Sequence, residues 1–241
     1  MLEKILDHER DLFLFLNSLQ SQFGDQFMWL FSGKIAWVPV SLLFIVILLY
    51  LNRQRWKEVL LIFVAVALVI TLCDQFASSF CKPFFARLRP THHPAFMDEV
   101  RTVFDYKGGL YGFISSHAAN AFGFATLTSM IFRNRLYTIS IFLWAIVNSY
   151  SRIYLGVHFI SDIVPGIVAG LVFGYIVYVL FRLLHYKLFP LKTHLLPENI
   201  SKYKFFPLKG LTLSAYLLIL TFVIIAIISL LYSFNYIDAI R

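Results

Sequence analysis

The amino-acid sequence predicts an all-α integral membrane protein, a bundle of six transmembrane helices with an N-terminal interfacial amphipathic helix. Three observations carry this expectation. Of 241 residues, 59% are apolar and 14% charged, against about 45–50% and about 25% in soluble domains. A scan for runs of roughly 20 apolar residues, the length that crosses a hydrocarbon core about 30 Å thick, finds six. The aromatic share is 18%, which leaves neither the polarity of a disordered chain nor a water-facing surface. The chain reads as one membrane domain over 1–241.

The first 27 residues interleave Glu3, Lys4, Asp7, His8, Glu9, Arg10 and Asp11 with Leu2, Ile5, Leu12, Leu14 and Leu16, the pattern of a helix lying in the interface. They lack the basic start, apolar middle and small-residue cleavage site of a signal peptide. The spans are expected near 28–51, 59–79, 113–132, 136–155, 160–184 and 211–232, followed by an outer tail at 233–241. Arg53, Arg55 and Lys57 follow the first span, Arg133 and Arg135 the third, and Lys187, Lys192, Lys202, Lys204 and Lys209 the fifth. These alternate loops share a face, cytoplasmic by the positive-inside bias. The termini, the 80–112 loop and the 156–159 turn then face outward. Trp29, Tyr50, Trp56 and Tyr137 fit an aromatic belt. Pro165-Gly166 with Gly170 and Gly174 gives the fifth span a small-residue face for close helix packing.

The formal charge is +8, from 21 Lys+Arg against 13 Asp+Glu. Because the basic residues gather in short loops between apolar runs, they point to insertion topology and anionic lipid, not nucleic acid. Cys73 and Cys81 form neither a disulfide framework nor a zinc pattern. No phosphate-binding glycine loop or dinucleotide fingerprint is present, and no cofactor is expected.

The outer 80–112 loop breaks the charge bias with Lys82, Arg87, Arg89, Arg101 and Lys107, and that exception asks for a reason. The outer ends of the second to fifth spans carry Lys82 and Arg89, then Ser115-Ser116-His117, then Arg152, His158 and Asp162. Any single one reads as a snorkelling or orienting charge. Together they specify a chemistry. Lys82 and Arg89 are seven apart and can bracket an anion; Arg152 adds a guanidinium fork that matches phosphate oxygens. Ser115 and Ser116, opening a helix, offer N–H groups and hydroxyls to the same anion. His158 and Asp162, four apart, let the carboxylate take one ring nitrogen and leave the other lone pair aimed outward as a nucleophile. His117 is placed to protonate a departing alkoxide, so hydrolysis would proceed through a phosphohistidine.

Lys-x6-Arg-Pro, Ser-x-His and Ser-Arg-x5-His-x3-Asp, in order across 82–162, resemble the three signature motifs of the type 2 phosphatidic acid phosphatase superfamily. The resemblance implies a six-helix, metal-independent membrane phosphatase with His158 as nucleophile, Asp162 as its orienting partner and His117 as general acid. It implies that Lys82, Arg89, Ser115, Ser116 and Arg152 hold the phosphate. Ile114 and Ser116 stand where the family usually has proline and glycine, so the Ser116 N–H serves only where the backbone does not demand glycine. The segment from Ile114 to Asn120 is similar to the form carried by lipid phosphatases of Bacteroidetes, including those acting on lipid A.

The expected function is hydrolysis of a phosphomonoester or pyrophosphate of an amphiphile at the periplasmic face of a bacterial inner membrane. Lipid A phosphate, undecaprenyl pyrophosphate and phosphatidylglycerophosphate are the candidate substrates, and membrane lipids the other partners. Transfer to another lipid acceptor is the alternative reaction; a non-catalytic anionic-lipid binder or transporter is the alternative class. His92 and His93 read as entrance-loop histidines, not metal ligands, because no carboxylate-rich or cysteine cluster accompanies them. Asp74 reads as polar helix packing, and Asp105-Tyr106-Lys107 as a solvated turn.

Overall fold

The structure, a computed structural model, describes residues 2–190 and 211–238. Among the described residues the secondary structure is helical, apart from one isolated antiparallel bridge between Leu88 and Tyr111. The helices are α1 (Leu2–Ser18), α2 (Gln22–Ser32), α3 (Lys34–Leu51), α4 (Trp56–Asp74), α5 (Lys82–Phe85), α6 (Ser116–Phe132), α7 (Arg135–Tyr154), α8 (Ile160–Leu188) and α9 (Leu211–Asp238). A π-helical stretch, Gln75–Cys81, joins α4 to α5.

Among the described residues two helical stretches are long and apolar enough to cross a membrane, Arg53–Phe85 with 33 residues and Ile160–Leu188 with 29. The stretch expected as a single first span is a bent pair, with 46° between its halves, and makes a third candidate. It breaks because Gly33 takes extended backbone, ending α2 and opening α3. α2 itself begins inside the stretch expected to lie in the interface, where Ser21 caps it by accepting from the Gly24 N–H. The second span runs past residue 79 to Phe85 through the π-helical stretch. α6 is limited to 17 residues by its Ser115 cap and the left-handed Arg133. α7 is diluted by Asn148, Ser149, Ser151 and Arg152. α9 continues to Asp238, into the expected tail. Lys192, Lys202, Lys204, Lys209 and residues 239–241 lie outside the described residues.

α6 and α8 form the centre of the bundle. Lipid tails are as apolar as a helix surface, so helices associate in a membrane through close packing, and the α8 glycines supply it. A Cβ on Gly166 would stand 2.7 Å from the Ser115 carbonyl oxygen, on Gly170 2.5 Å from that of Ala119, and on Gly174 2.8 Å from that of Gly123. The opposite side of α8 exposes Val164, Val168, Val172, Ile176 and Leu183. Around α6 the core collects Ile62, Val69, Leu127, Ile131, Val177 and Phe181. Tyr137 joins it: 1% exposed, stacked on Phe44 and edge-on to Phe132. It therefore leaves the expected aromatic belt, whose members Tyr50 and Trp56 are exposed.

α1 covers one end of the bundle. Leu6 and Phe13 are buried in a cluster with Phe96, Ile153, Phe159 and Ile163, while Leu12 and Phe15 are exposed. Asn17 pins its end, donating to the carbonyls of Arg101, Ile153 and Tyr154 and accepting from the Arg101 N–H.

Gly170→Leu drives a side chain into α6 backbone that cannot yield. It is expected to cost about 1–3 kcal/mol, read as a lowered thermal midpoint of the solubilised protein. An unchanged midpoint contradicts the α6–α8 contact.

Candidate active site

The candidate site lies at the covered end, where α5, α6, α7 and α8 present their termini. α7 stops at Tyr154, and Gly156 turns the chain in the left-handed region, at φ +73°, which L side chains rarely adopt. The turn folds the N–H groups of Val157 and His158 back onto the Arg152 carbonyl, at 3.0 and 3.3 Å. Two of the expected site residues are thereby tied together through backbone.

His158 is 1% exposed. Its Nε2 lies 3.2 Å from Arg89 Nη1. A guanidinium has no lone pair to offer, so this contact requires the lone pair on Nε2 and puts the ring proton on Nδ1. Nδ1 faces Asp162 Oδ2 at 3.4 Å, a long charge contact, and Nδ1 has no hydrogen-bond partner among the described residues. Burial above all, then the charges of Arg89, Arg152 and Lys82, hold the His158 imidazole well below the ordinary histidine range; the Gly112 backbone acts the other way and is outweighed. The ring is therefore neutral at neutral pH, with its lone pair turned toward the cations.

Those cations are held without carboxylates. Lys82 Nζ reaches Ser78 Oγ at 3.2 Å and Ser116 Oγ at 3.4 Å. Arg89 donates to the carbonyls of Tyr111 and Val157, each at 3.1 Å. Arg152, 3% exposed, reaches the Tyr106 hydroxyl at 3.4 Å, while its Nε has no partner among the described residues. None of the three forms an ion pair among the described residues. Buried charge is costly unless paired, so the arrangement calls for an external anion.

Ser115 and Asp162 serve the frame as well as the site. Ser115 caps α6, its Oγ accepting from the Ala118 N–H at 3.4 Å, and its own N–H donates to the Asp162 carbonyl at 3.0 Å. That N–H is spent on α8, so it is not offered to an anion. Ser116 is the first residue of α6 and stays out of the left-handed region; serine fits where glycine is usual, and the helix's first N–H groups remain without intrahelical partners. His117 follows it, within electrostatic reach of Arg152, His158, Arg89 and Lys82.

Three residues escaped the sequence reading as parts of the cluster. Arg87, 3% exposed, donates to Asp162 Oδ1 at 2.9 Å, Glu9 Oε1 at 3.1 Å and Ser161 Oγ at 2.7 Å. Its guanidinium lies 4.8 Å from the centre of the Phe159 ring. Glu9 also accepts from the Ser161 N–H and hydroxyl. Asp162 Oδ2 takes the Phe159 N–H at 3.0 Å, so both carboxylates cap the first turn of α8. Tyr106, expected in a solvated turn, instead lies under Arg152, whose guanidinium is 5.7 Å from its ring centre. The signal for Arg87 was the excess of outer-loop charge; for Tyr106 no periodicity marks the position.

His92 and His93 stand apart from this cluster. His92 Nδ1 pairs with Thr91 Oγ1, and His93 packs edge-on against Phe96 and Phe159. Among the described residues no group of three His, Cys, Asp or Glu is placed to hold a metal ion. Asp74 Oδ1 is 3.5 Å from Ser78 Oγ, in line with helix packing.

The profile of the PAP2 superfamily matches residues 61–186, a stretch that holds every member of the cluster except Glu9 and is more than half of the chain. The lipid A 4'-phosphatase of Porphyromonas gingivalis is 52% identical over 179 residues, 73% of this chain and 74% of that protein. The lipid A 4'-phosphatase of Bacteroides thetaiotaomicron is 42% identical over 181 residues, 74% of this chain and 79% of that protein. The crystal structure of Aquifex aeolicus LpxE is similar over 69% of this chain and 92% of its own, with 27% identity and a TM-score of 0.47.

Glu9→Ala removes one of the two carboxylates on Arg87 and uncaps the Ser161 N–H. The expected cost is about 1–3 kcal/mol, read as a lower thermal midpoint than wild type. Wild-type stability in this variant contradicts the Glu9–Arg87–Asp162 arrangement.

Proposed function

The chain belongs to the PAP2 superfamily, and from that premise we propose that it removes a phosphate group from a lipid of the lipid A kind, as its two curated relatives are named for doing. The observation that carries the reading is three cations without carboxylate partners, Arg89 and Arg152 buried and Lys82 half-buried, gathered around a neutral histidine lone pair. A phosphate dianion supplies the missing charge, and Arg152 Nε and the first N–H groups of α6 supply donors for its oxygens.

In the proposed reaction His158 Nε2 attacks phosphorus and the bond from phosphorus to the lipid oxygen breaks. His117 gives its proton to the departing alkoxide. The phosphohistidine is then hydrolysed by a water that loses its proton to His117, which releases inorganic phosphate and restores the free ring. Asp162 stabilises the charge that develops on the imidazole, while Lys82, Arg89 and Arg152 stabilise that on the phosphoryl oxygens. Ser115 acts through its cap, by fixing where α6 begins. We read the chain as a six-span protein of the bacterial inner membrane, with α1 at the interface and the site on the periplasmic side. The unpaired outer-loop cations support this topology, because their placement against the positive-inside bias is explained by the site.

The test is phosphate release by the solubilised protein across a panel of lipid phosphates. His158→Ala is expected to lower kcat by about 10³-fold or more, and Asp162→Asn to leave weak activity. Vanadate should inhibit and EDTA should not. Full activity in His158→Ala refutes the nucleophile; loss with EDTA that a divalent metal restores refutes the metal-independent scheme; transfer to a lipid without phosphate release refutes hydrolysis.

A further inference from the structure

Of the charges on the Nδ1 side of His158, the reaction scheme uses Asp162 alone. Arg87 stands behind that carboxylate and Glu9 behind Arg87; the three side chains are 0%, 1% and 10% exposed in that order. Arg87 Nη1 donates to Asp162 Oδ1 at 2.9 Å and Nη2 to Glu9 Oε1 at 3.1 Å. Asp162 Oδ2 is thereby left to the Phe159 N–H and the His158 ring. Glu9 also takes the Ser161 N–H, at 2.8 Å, and the Ser161 hydroxyl. Asp7 and Asp11, on the same face-alternating helix, are exposed, so burial sets Glu9 apart from its neighbours. α1 is docked by other contacts: Arg10 pairs with Glu99, donates to the Ala95 carbonyl at 3.2 Å and lies 4.8 Å from the centre of the Phe96 ring.

As a prop for the fold, a second buried carboxylate is a poor choice. Arg87 already has Asp162 and Ser161, and an apolar side chain in place of Glu9 would avoid a desolvation cost. What Glu9 changes is the balance of charge. Two carboxylates against one guanidinium leave one net negative charge beside Nδ1, opposite Lys82, Arg89 and Arg152. Without Glu9, Arg87 matches Asp162 and the balance is zero. The difference is felt when the Nε2 lone pair bonds to phosphorus and the bond to the lipid oxygen breaks. The proton stays on Nδ1, and the ring becomes a cation with Lys82, Arg89 and Arg152 around it and His117 on α6 bringing no negative charge. Asp162 must then offset it, and a carboxylate whose charge is spent on an arginine does so weakly.

We propose that Glu9 is a positioning residue for the nucleophile: by sharing Arg87 it leaves Asp162 free to offset the cationic ring, so that α1 governs the bond-forming step and not the hold on phosphate. The inference rests on the phosphatase reading and deepens it.

The experiment compares two anions by calorimetry on the solubilised protein. Vanadate accepts the Nε2 lone pair and becomes five-coordinate with the proton on Nδ1, whereas inorganic phosphate meets the cations without a bond to nitrogen. Glu9→Gln is expected to weaken vanadate about tenfold and to leave phosphate held no less tightly, since a negative charge has been removed. Glu9→Met, which fills the volume and adds no misplaced N–H, is expected to do the same and serves where the glutamine variant does not fold. Ser161→Ala, which loosens the same network and keeps its charges, is expected to leave the ratio of the two affinities as in wild type. In turnover of a lipid A phosphate, both Glu9 variants are expected to lower kcat about tenfold at unchanged KM. Equal weakening of both anions, an unchanged ratio in the Glu9 variants, or the same change of ratio in Ser161→Ala reduces Glu9 to a prop and overturns the proposal. So does wild-type protein that holds vanadate no more tightly than phosphate. Absence of phosphate release from every lipid, with the vanadate difference preserved, overturns the phosphatase reading and supports the role of Glu9.

Discussion

Charge that cannot be neutralised from within organises this molecule. Four basic side chains converge at one end of the bundle, and the carboxylates near them are divided unequally. Arg87 receives both Glu9 and Asp162, whereas Lys82, Arg89 and Arg152 are held by neutral groups: carbonyls, hydroxyls and the His158 ring nitrogen. The paired arginine is built into the frame, and the three unpaired cations are left for the proposed site. Dipoles can position a cation without cancelling its field, so the field remains available to an anion and, before that anion arrives, adds to the larger effect of burial in keeping His158 neutral. That distribution of charge explains how phosphate would be held, and with burial it explains why His158 Nε2 carries a lone pair and no proton.

The fold brings these groups together by close packing. The α8 glycines let the α6 backbone approach, which sets Ser115 against Asp162 and brings the start of α6 beside His158. The turn at Gly156 ties His158 to Arg152, and the bridge between Leu88 and Tyr111 holds the loop that carries Arg87 and Arg89. α1 seals the arrangement from above. Glu9 reaches the first turn of α8 from a distant part of the sequence, so the N-terminal helix contributes to the site's frame although it carries none of the reacting groups.

The cluster was legible in the sequence because its residues recur at spacings that can bring them to one anion: Lys82 with Arg89, His158 with Asp162, and a serine-histidine helix start between them. The glycine face of α8 was legible for a similar reason, since small residues four apart have one common use in a membrane. What escaped depends on long-range contact. Glu9 reads as one more charge on an amphipathic helix, and Arg87 as a surplus loop cation, until Asp162 and Ser161 are placed beside them. Tyr106 has no local pattern at all. The first span is bent at Gly33, where extended backbone interrupts an apolar run, and Tyr137 left the belt because an aromatic near a helix end serves a core as readily.

The central claim is that His158 Nε2, lying among unpaired cations, becomes bonded to phosphorus. Its most direct measurement is to quench the solubilised protein in base during turnover of a phosphate-labelled lipid and map the label by peptide mass spectrometry. The account predicts label on the imidazole of His158. Label on another side chain, or efficient turnover with no labelled residue at the earliest times, contradicts it.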